Sequence, residues 1–223
     1  VKDWISNDTE FSFKTSGSTG KAKAIRIPRV KVAYSCEATF AKIDPKRQFK
    51  SALLCLNPDM IGGAMVIFRA LWSGFDRIRV VAASGNPFSM LTSEEHYDLV
   101  SLVPLQLASA QAGDLDHFHT VLVGGAPLGI RTMHESKARI FATFGMTETV
   151  SHFALREATT DVFHCVGDAK LIPNEAEELW VQGSITEHNT LKTNDLIEWV
   201  SPTSFKWIGR KDFIINSGGL KIN

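Results

Sequence analysis

Thr120-Val121-Leu122-Val123-Gly124-Gly125-Ala126-Pro127 is a short apolar run that ends in a glycine turn, and Arg139-Ile140-Phe141-Ala142-Thr143-Phe144-Gly145-Met146-Thr147-Glu148 repeats the plan further on. Neither run alternates with polar residues, which is the pattern of a strand buried on both faces. Working outward, residues 51–56, 78–82 and 99–103 are runs of the same kind. Between them, Ala33, Cys36, Phe40 and Ile43 fall at helical spacing over residues 30–43, and Ala64, Met65, Phe68, Leu71 and Trp72 repeat as a helix closed near Gly74. Pro104 stops a strand, residues 105–112 read as a helix, and helix signals follow Pro127. The alternation predicts an α/β fold with a mostly parallel sheet packed by helices, whose ligands gather at the carboxyl ends of the strands. Both glycine turns belong to that edge.

From about Ser151 helical periodicity fades, and residues 178–182, 190–200 and 205–208 read as short strands of a β-rich, antiparallel portion. The expected organisation is an α/β part over residues 1–150, a β-rich part over 151–211, and at 212–223 a hinge and the start of a truncated second domain. Three cysteines, Cys36, Cys55 and Cys165, show no paired spacing, which fits neither a disulfide framework nor a zinc site. With 24 basic and 24 acidic residues among 223, the charge balance gives no reason to expect nucleic acid or an anionic membrane as partner. The apolar stretch 60–72 is interrupted by Arg69 and too short to span a bilayer, and Val1-Lys2-Asp3-Trp4 lacks the layout of a secretory signal, so a cytoplasmic protein is expected.

Near the start lies Lys14-Thr15-Ser16-Gly17-Ser18-Thr19-Gly20-Lys21-Ala22-Lys23, between two β-prone segments. Small residues let backbone N–H groups converge on one point, hydroxyls add donors, and lysine supplies positive charge. Such a loop suits a triphosphate. It is not a Walker A loop, because Thr15 stands where the first glycine would be and Ala22 where a hydroxyl is needed, and it lacks the third glycine of a dinucleotide fingerprint. Taken alone, the run reads equally as a surface loop.

Taken together, the loop, Gly124-Gly125-Ala126-Pro127-Leu128, Phe144-Gly145-Met146-Thr147-Glu148-Thr149, Thr193-Asn194-Asp195 and Gly209-Arg210-Lys211-Asp212 resemble the ordered motifs of the adenylate-forming superfamily of acyl-CoA synthetases, luciferases and peptide-synthetase adenylation domains. The resemblance implies the large N-terminal domain of that fold. It implies ATP, Mg²⁺ and coenzyme A, a small-molecule carboxylic acid as partner, and an acyl-adenylate intermediate. Thr15, Ser16, Gly17, Ser18, Thr19, Gly20 and Lys21 would hold the β- and γ-phosphates, with Lys21 and Lys23 escorting pyrophosphate, and Glu148 with Thr19 would share Mg²⁺. Thr147 would bond the α-phosphate. Gly124, Gly125 and Ala126 would form a slot for adenine beside Phe144, Gly145 and Met146, Asp195 would hold the ribose hydroxyls, and Arg210 would reach the ribose and phosphates. Thr19, Lys21, Thr147, Glu148 and Arg210 are thus the implied catalytic set, and Asp212 the implied hinge. The lysine that orients the carboxylate belongs, in the family, to a C-terminal domain.

Within the superfamily the stretch Gly145-Met146-Thr147-Glu148-Thr149-Val150-Ser151-His152, with the segment from Gly209 onward, most resembles the o-succinylbenzoate-CoA ligases of menaquinone biosynthesis. Met60, Ile61, Gly62, Ser151 and His152 are the implied acyl pocket. The chain departs from the pattern at Asp59-Met60-Ile61-Gly62-Gly63, where many relatives carry an aromatic-histidine pair, at Ala22 in place of proline, at Asn194 in place of glycine, and around Val166-Gly167-Asp168, where the glycine-rich segment is faint. Other aryl- or acyl-CoA ligases, an amino-acid-activating domain with Asp59 as amine anchor, and a degenerate nucleotide-binding module are the alternatives.

Overall fold

The computed structural model of the protein describes residues 9–14, 24–82, 85–128, 136–213, 215–217 and 220–222. Strands β1 (Glu10–Lys14) and β2 (Ala24–Pro28) pair antiparallel with Lys14 opposite Ala24, so the lysine- and hydroxyl-rich loop leaves and rejoins the fold at one rung. Residues 15–23 themselves lie outside the described residues. Helix α1 (Arg29–Ile43) starts directly after Pro28 and buries Cys36, Phe40 and Ile43 of the expected stripe, with Val32 buried in place of the half-buried Ala33.

Strand β3 (Ser51–Leu54), helix α2 (Ile61–Ser73), and strand β4 (Arg77–Val80) form a unit of two adjacent parallel strands and their connecting helix, with α2 closed by Gly74 in the left-handed region at φ 65°. Strand β5 (Tyr97–Leu102), the short helix α3 (Pro104–Ala108), β6 (Phe118–Val123) and β7 (Arg139–Met146) continue the parallel sheet. The helix expected over 105–112 ends at Ala108, and the chain then turns through Gly113 at φ 90°. The helix expected after Pro127 falls on residues 129–135, outside the described residues.

At β7 the sheet changes sense. Strands β8 (Ser151–Glu157), β9 (Val162–Cys165), β10 (Lys170–Leu171), β11 (Glu178–Gln182), β12 (Leu191–Ser201) and β13 (Ser204–Arg210) are joined only by antiparallel pairings. Among the described residues the eleven strands β3–β13 form one continuous sheet in the order β10-β11-β12-β13-β9-β8-β7-β6-β5-β3-β4. The β-rich portion is therefore an extension of the parallel sheet across the β7–β8 pairing. A separate antiparallel pair, β14 (Ile215–Ser217) and β15 (Leu220–Ile222), follows Lys211–Phe213. Strand β8 escapes the sequence pattern because His152 and Arg156 interrupt its apolar residues, yet both are buried.

The sheet is packed on both faces. Leu99, Leu122 and Phe141 face α1 and α2 with Phe40, Ile43 and Val66, while Val100 and Val121 pack on the other side with Leu107 of α3. Tyr34 of α1 hydrogen-bonds Asp168, whose carboxylate also accepts from the backbone and hydroxyl of Ser184, tying the helix to the antiparallel half. There Phe153, Phe163 and Phe205 meet Phe144, with the Phe163 and Phe205 rings stacked at 5.4 Å. Truncating the fully buried Phe205 to Ala should cost about 3–5 kcal/mol in urea unfolding. A loss under about 1 kcal/mol would remove this cluster from the core that holds β13 to β8.

Candidate functional site

The reversal from β7 to β8 is built on a close backbone approach. A Cβ added at Gly145 would lie 1.8 Å from the Ser151 carbonyl oxygen and 2.4 Å from His152 Cα, so only glycine fits. The buried Thr149 Oγ1 accepts from the Met146 N–H at 3.0 Å and lies 2.8 Å from the Ser151 carbonyl, to which it donates. Val150 is then held at φ 62°, a left-handed conformation that costs a β-branched residue about 1–3 kcal/mol. The turn Thr147–Thr149 projects from this staple, with Thr147 half-buried and Glu148 exposed. The neighbouring rim follows β6: Gly124 donates to the Leu102 carbonyl at 3.0 Å, a Cβ there would strike Thr143 Oγ1 at 2.2 Å, and Gly125 and Ala126 are exposed. Phe144 is half-buried and meets Phe153, Phe163 and Phe205 edge-to-face, so it is a core residue at least on that side.

The residues expected to line an acyl pocket come from two elements. Met60, Ile61 and Gly62 open α2, and Ser151 and His152 open β8. Two turns further along α2 is Arg69, 2% exposed, whose Nη2 donates to Ser151 Oγ and to His152 Nδ1, each at 3.4 Å. It makes no ion pair, and its Nε has no hydrogen-bond partner among the described residues. Burial lowers its pKa to about 10. His152 is fixed in one tautomer. Thr39 Oγ1 spends its single proton on the Ser35 carbonyl at 2.7 Å, so His152 Nε2 donates to Thr39 at 3.0 Å and Nδ1 is left to accept from Arg69. Burial first, and Arg69 second, push the histidine well below its ordinary pKa, and it is neutral.

A third group sits on the β12–β13 hairpin, where Asp195 and Arg210 are cross-strand partners. Trp207 Nε1 donates to Asp195 Oδ1 at 2.9 Å, leaving the other carboxylate oxygen available to vicinal hydroxyls. Arg210 is exposed and pairs with Asp212 at 3.4 Å, and Asn194 donates to the same Asp212 oxygen. No hydrogen bond or ion pair joins this hairpin to Thr147 or Glu148 among the described residues. What connects them is a cleft of about 270 Å³ lined by Glu148, Lys31, Glu187, Asn189 and Leu191. Strand β12 begins there, and Asp195 lies four residues along it, roughly 13 Å at the usual strand rise. A second hollow, about 330 Å³ around Asp98, Asp116 and three histidines, opens at the amino ends of β5 and β6, the opposite edge from ligand sites in parallel sheets.

Glu148 forms no ion pair among the described residues, and no group of three or more acidic, histidine or cysteine side chains there can hold a metal alone. One exposed hard carboxylate fits Mg²⁺ brought in on phosphates and completed by water. The loop residues Thr15 to Lys21 and Lys23 lie outside the described residues. Sequence reasoning passed over two residues of this site, Arg69 and Thr149. Arg69 was visible as the lone charge in an otherwise apolar helix; Thr149 stood in the quoted motif without a role, since its role depends on the turn geometry.

The chain belongs to the AMP-binding enzyme family, whose profile matches residues 6–177. Among solved structures it is similar to an acyl-CoA synthetase (AMP-forming)/AMP-acid ligase II-like protein of Dyadobacter fermentans, at 33% identity and TM-score 0.85 over 99% of this chain and 65% of that one. It shares the fold of the Bacillus subtilis o-succinylbenzoate coenzyme A synthetase in complex with ATP and magnesium ion (19% identity, TM-score 0.75, 95% of this chain and 52% of that one) and of the same enzyme with its acyl-adenylate intermediate (18%, 0.74, 95% and 51%). This chain thus spans between half and two thirds of their length. A comparison with curated proteins found no match. No helix among the described residues is long and apolar enough to cross a membrane.

The neutral His152 sets a pH dependence. Its folded pKa lies below the unfolded value near 6.5, so the unfolded chain binds the extra proton and stability falls as pH drops below about 6.5, by up to about 1.4 kcal/mol per pH unit. Urea unfolding between pH 7 and 5 should show this slope, and His152→Gln should flatten it. Equal slopes for both proteins would mean the histidine charges freely in the folded state. Gly145→Ala should cost at least about 1–3 kcal/mol by the same measurement, since backbone must move to admit the methyl group.

Proposed function

We propose that the chain is the larger, nucleotide-binding domain of an ATP-dependent carboxylic acid:CoA ligase, and that its acid carries a second carboxylate, as o-succinylbenzoate does. Family membership and the acyl-CoA synthetase neighbours support the reaction class. In that reaction a carboxylate oxygen attacks the α-phosphorus of ATP, the bond to the β-phosphate oxygen breaks, and pyrophosphate leaves. The CoA thiol then attacks the acyl carbon and AMP departs. There is little bond chemistry for side chains to perform, so positioning and charge neutralisation dominate. Thr147 donates to the α-phosphate, Asp195 accepts from the ribose hydroxyls, and Lys21 and Arg210 offset phosphate charge. Mg²⁺ held by Glu148 and the phosphates would supply further neutralisation.

The observation that carries the substrate class is Arg69: a buried guanidinium with no acid partner among the described residues and an unsatisfied Nε, beside the Ser151 and His152 half of the expected acyl pocket. Such a group is costly unless an anion meets it. A second carboxylate on the substrate is that anion, with Ser151 and His152 orienting the guanidinium. The same charge argues against an amino-acid substrate, whose ammonium would meet a cation, and Asp59 is exposed. On this reading the 223-residue chain is expected to bind acyl-adenylates.

Calorimetric titration with stable acyl-sulfamoyl adenosines tests this. The o-succinylbenzoyl compound should bind at least about tenfold more tightly than the benzoyl one, as for a charge-assisted contact. Arg69→Met should erase that difference while leaving stability unchanged or raised, because it replaces an uncompensated buried charge by an apolar chain. Equal affinity of the native chain for both compounds would eliminate the diacid reading.

A further inference from the structure

Arg156 lies in the middle of the antiparallel extension, on β8, 5% exposed and without an ion pair among the described residues. Its guanidinium donates to two backbone carbonyls, from Nη1 to Thr160 at 2.7 Å and from Nη2 to Leu128. It also covers the Phe163 ring, with its carbon 5.3 Å from the ring centre. Phe163 in turn meets Phe144 edge-to-face at 5.4 Å. Leu128 closes the exposed rim Gly125-Ala126-Pro127, whose other end is fixed by the Gly124 bond to Leu102. One buried cation therefore touches the supports of both walls of the expected adenine slot: the glycine rim on one side and, through Phe163, the Phe144 ring on the other.

We propose that Arg156 is a positioning residue that sets the width of the adenine slot, by holding the rim at the Leu128 carbonyl and the Phe144 wall through Phe163. The inference rests on the adenylate-forming reading and adds to it a residue that meets no substrate atom. Its charge suits the task. Carbonyl dipoles and a ring face satisfy a guanidinium without a carboxylate, so the contact is directional and independent of pH across the neutral range. A lysine at the same place would keep the cation over the ring but could not bond two carbonyls in a fixed fork.

The test separates the base from the phosphates. Native chain, Arg156→Met and Arg156→Lys are titrated calorimetrically with AMP and, separately, with Mg²⁺ and tripolyphosphate, after thermal melts identify the folded variants. Arg156→Met should weaken AMP binding by about tenfold or more, the scale of a buried carbonyl left without its donor, with tripolyphosphate binding unchanged. Arg156→Lys, which keeps a cation in place and is the variant expected to stay folded, should lose AMP affinity to an intermediate degree. Native AMP affinity in folded Arg156→Lys and Arg156→Met, or equal losses for both ligands, overturns the positioning role. A native chain that binds tripolyphosphate but not AMP overturns the adenine-slot reading itself.

Discussion

The contact on which the site depends is the one between Gly145 and Ser151. The sheet must pass from parallel to antiparallel somewhere, and it does so where β7 ends and β8 turns back against it. The reversal brings backbone so close that a side chain at Gly145 is excluded, Thr149 fills the interior of the turn, and Val150 is forced into a conformation its branched side chain resists. The strain is tolerated because the strands on either side are bonded into the sheet, β8 with most of its side chains buried. The consequence is chemical: Thr147 and Glu148 are presented at the carboxyl edge of the parallel half, and Ser151 and His152 point back toward α2. A single turn thus serves the expected phosphate chemistry with one end and the acyl pocket with the other.

Much of this was legible in the sequence, and the reason is periodicity. The parallel strands are continuous apolar runs and the helices between them have clear stripes, so the order β3-α2-β4 and the ends of β6 and β7 could be placed from residue types alone. The glycines after β6 and β7 mark close backbone approaches, which sequence can register as small residues at strand ends. What was not legible was polar burial. His152 and Arg156 made β8 look like irregular chain, and the same two residues turn out to be fixed inside it. Sequence pattern treats a buried arginine as a surface residue because burial is normally prohibitive for it; the exceptions are visible only when the partners are. The unity of the sheet was hidden for a related reason, since alternating antiparallel strands and continuous parallel runs differ in pattern although they share one hydrogen-bonded ladder.

The antiparallel half also holds distant parts of the expected nucleotide site in fixed positions. Asp195 and Arg210 stand on one hairpin, and their spacing is set by register across two strands rather than by any loop. Rigid ladders hold positions better than connecting segments do, which matters when a ligand must be gripped at its base, ribose and phosphates together. Trp207 bonding Asp195 from the neighbouring strand fixes the carboxylate in the same way.

Two buried arginines, Arg69 and Arg156, lie on opposite sides of His152 in sequence, and neither meets a carboxylate among the described residues. Their surroundings nevertheless differ in a way that separates architecture from chemistry. Arg156 has two carbonyls and a ring face, so its charge is met by dipoles that belong to the fold and its geometry is complete without a ligand. Arg69 has a serine hydroxyl and a histidine lone pair at 3.4 Å, and an Nε that meets nothing. The desolvation of a guanidinium is offset in the first case and largely uncompensated in the second. Removing Arg69 should therefore relieve the fold, whereas removing Arg156 should strand two carbonyls. A guanidinium held at such a cost, beside groups that orient it, is what the proposed second carboxylate of the substrate would satisfy. That asymmetry, rather than burial alone, is the ground for proposing one arginine as a ligand contact and the other as scaffold.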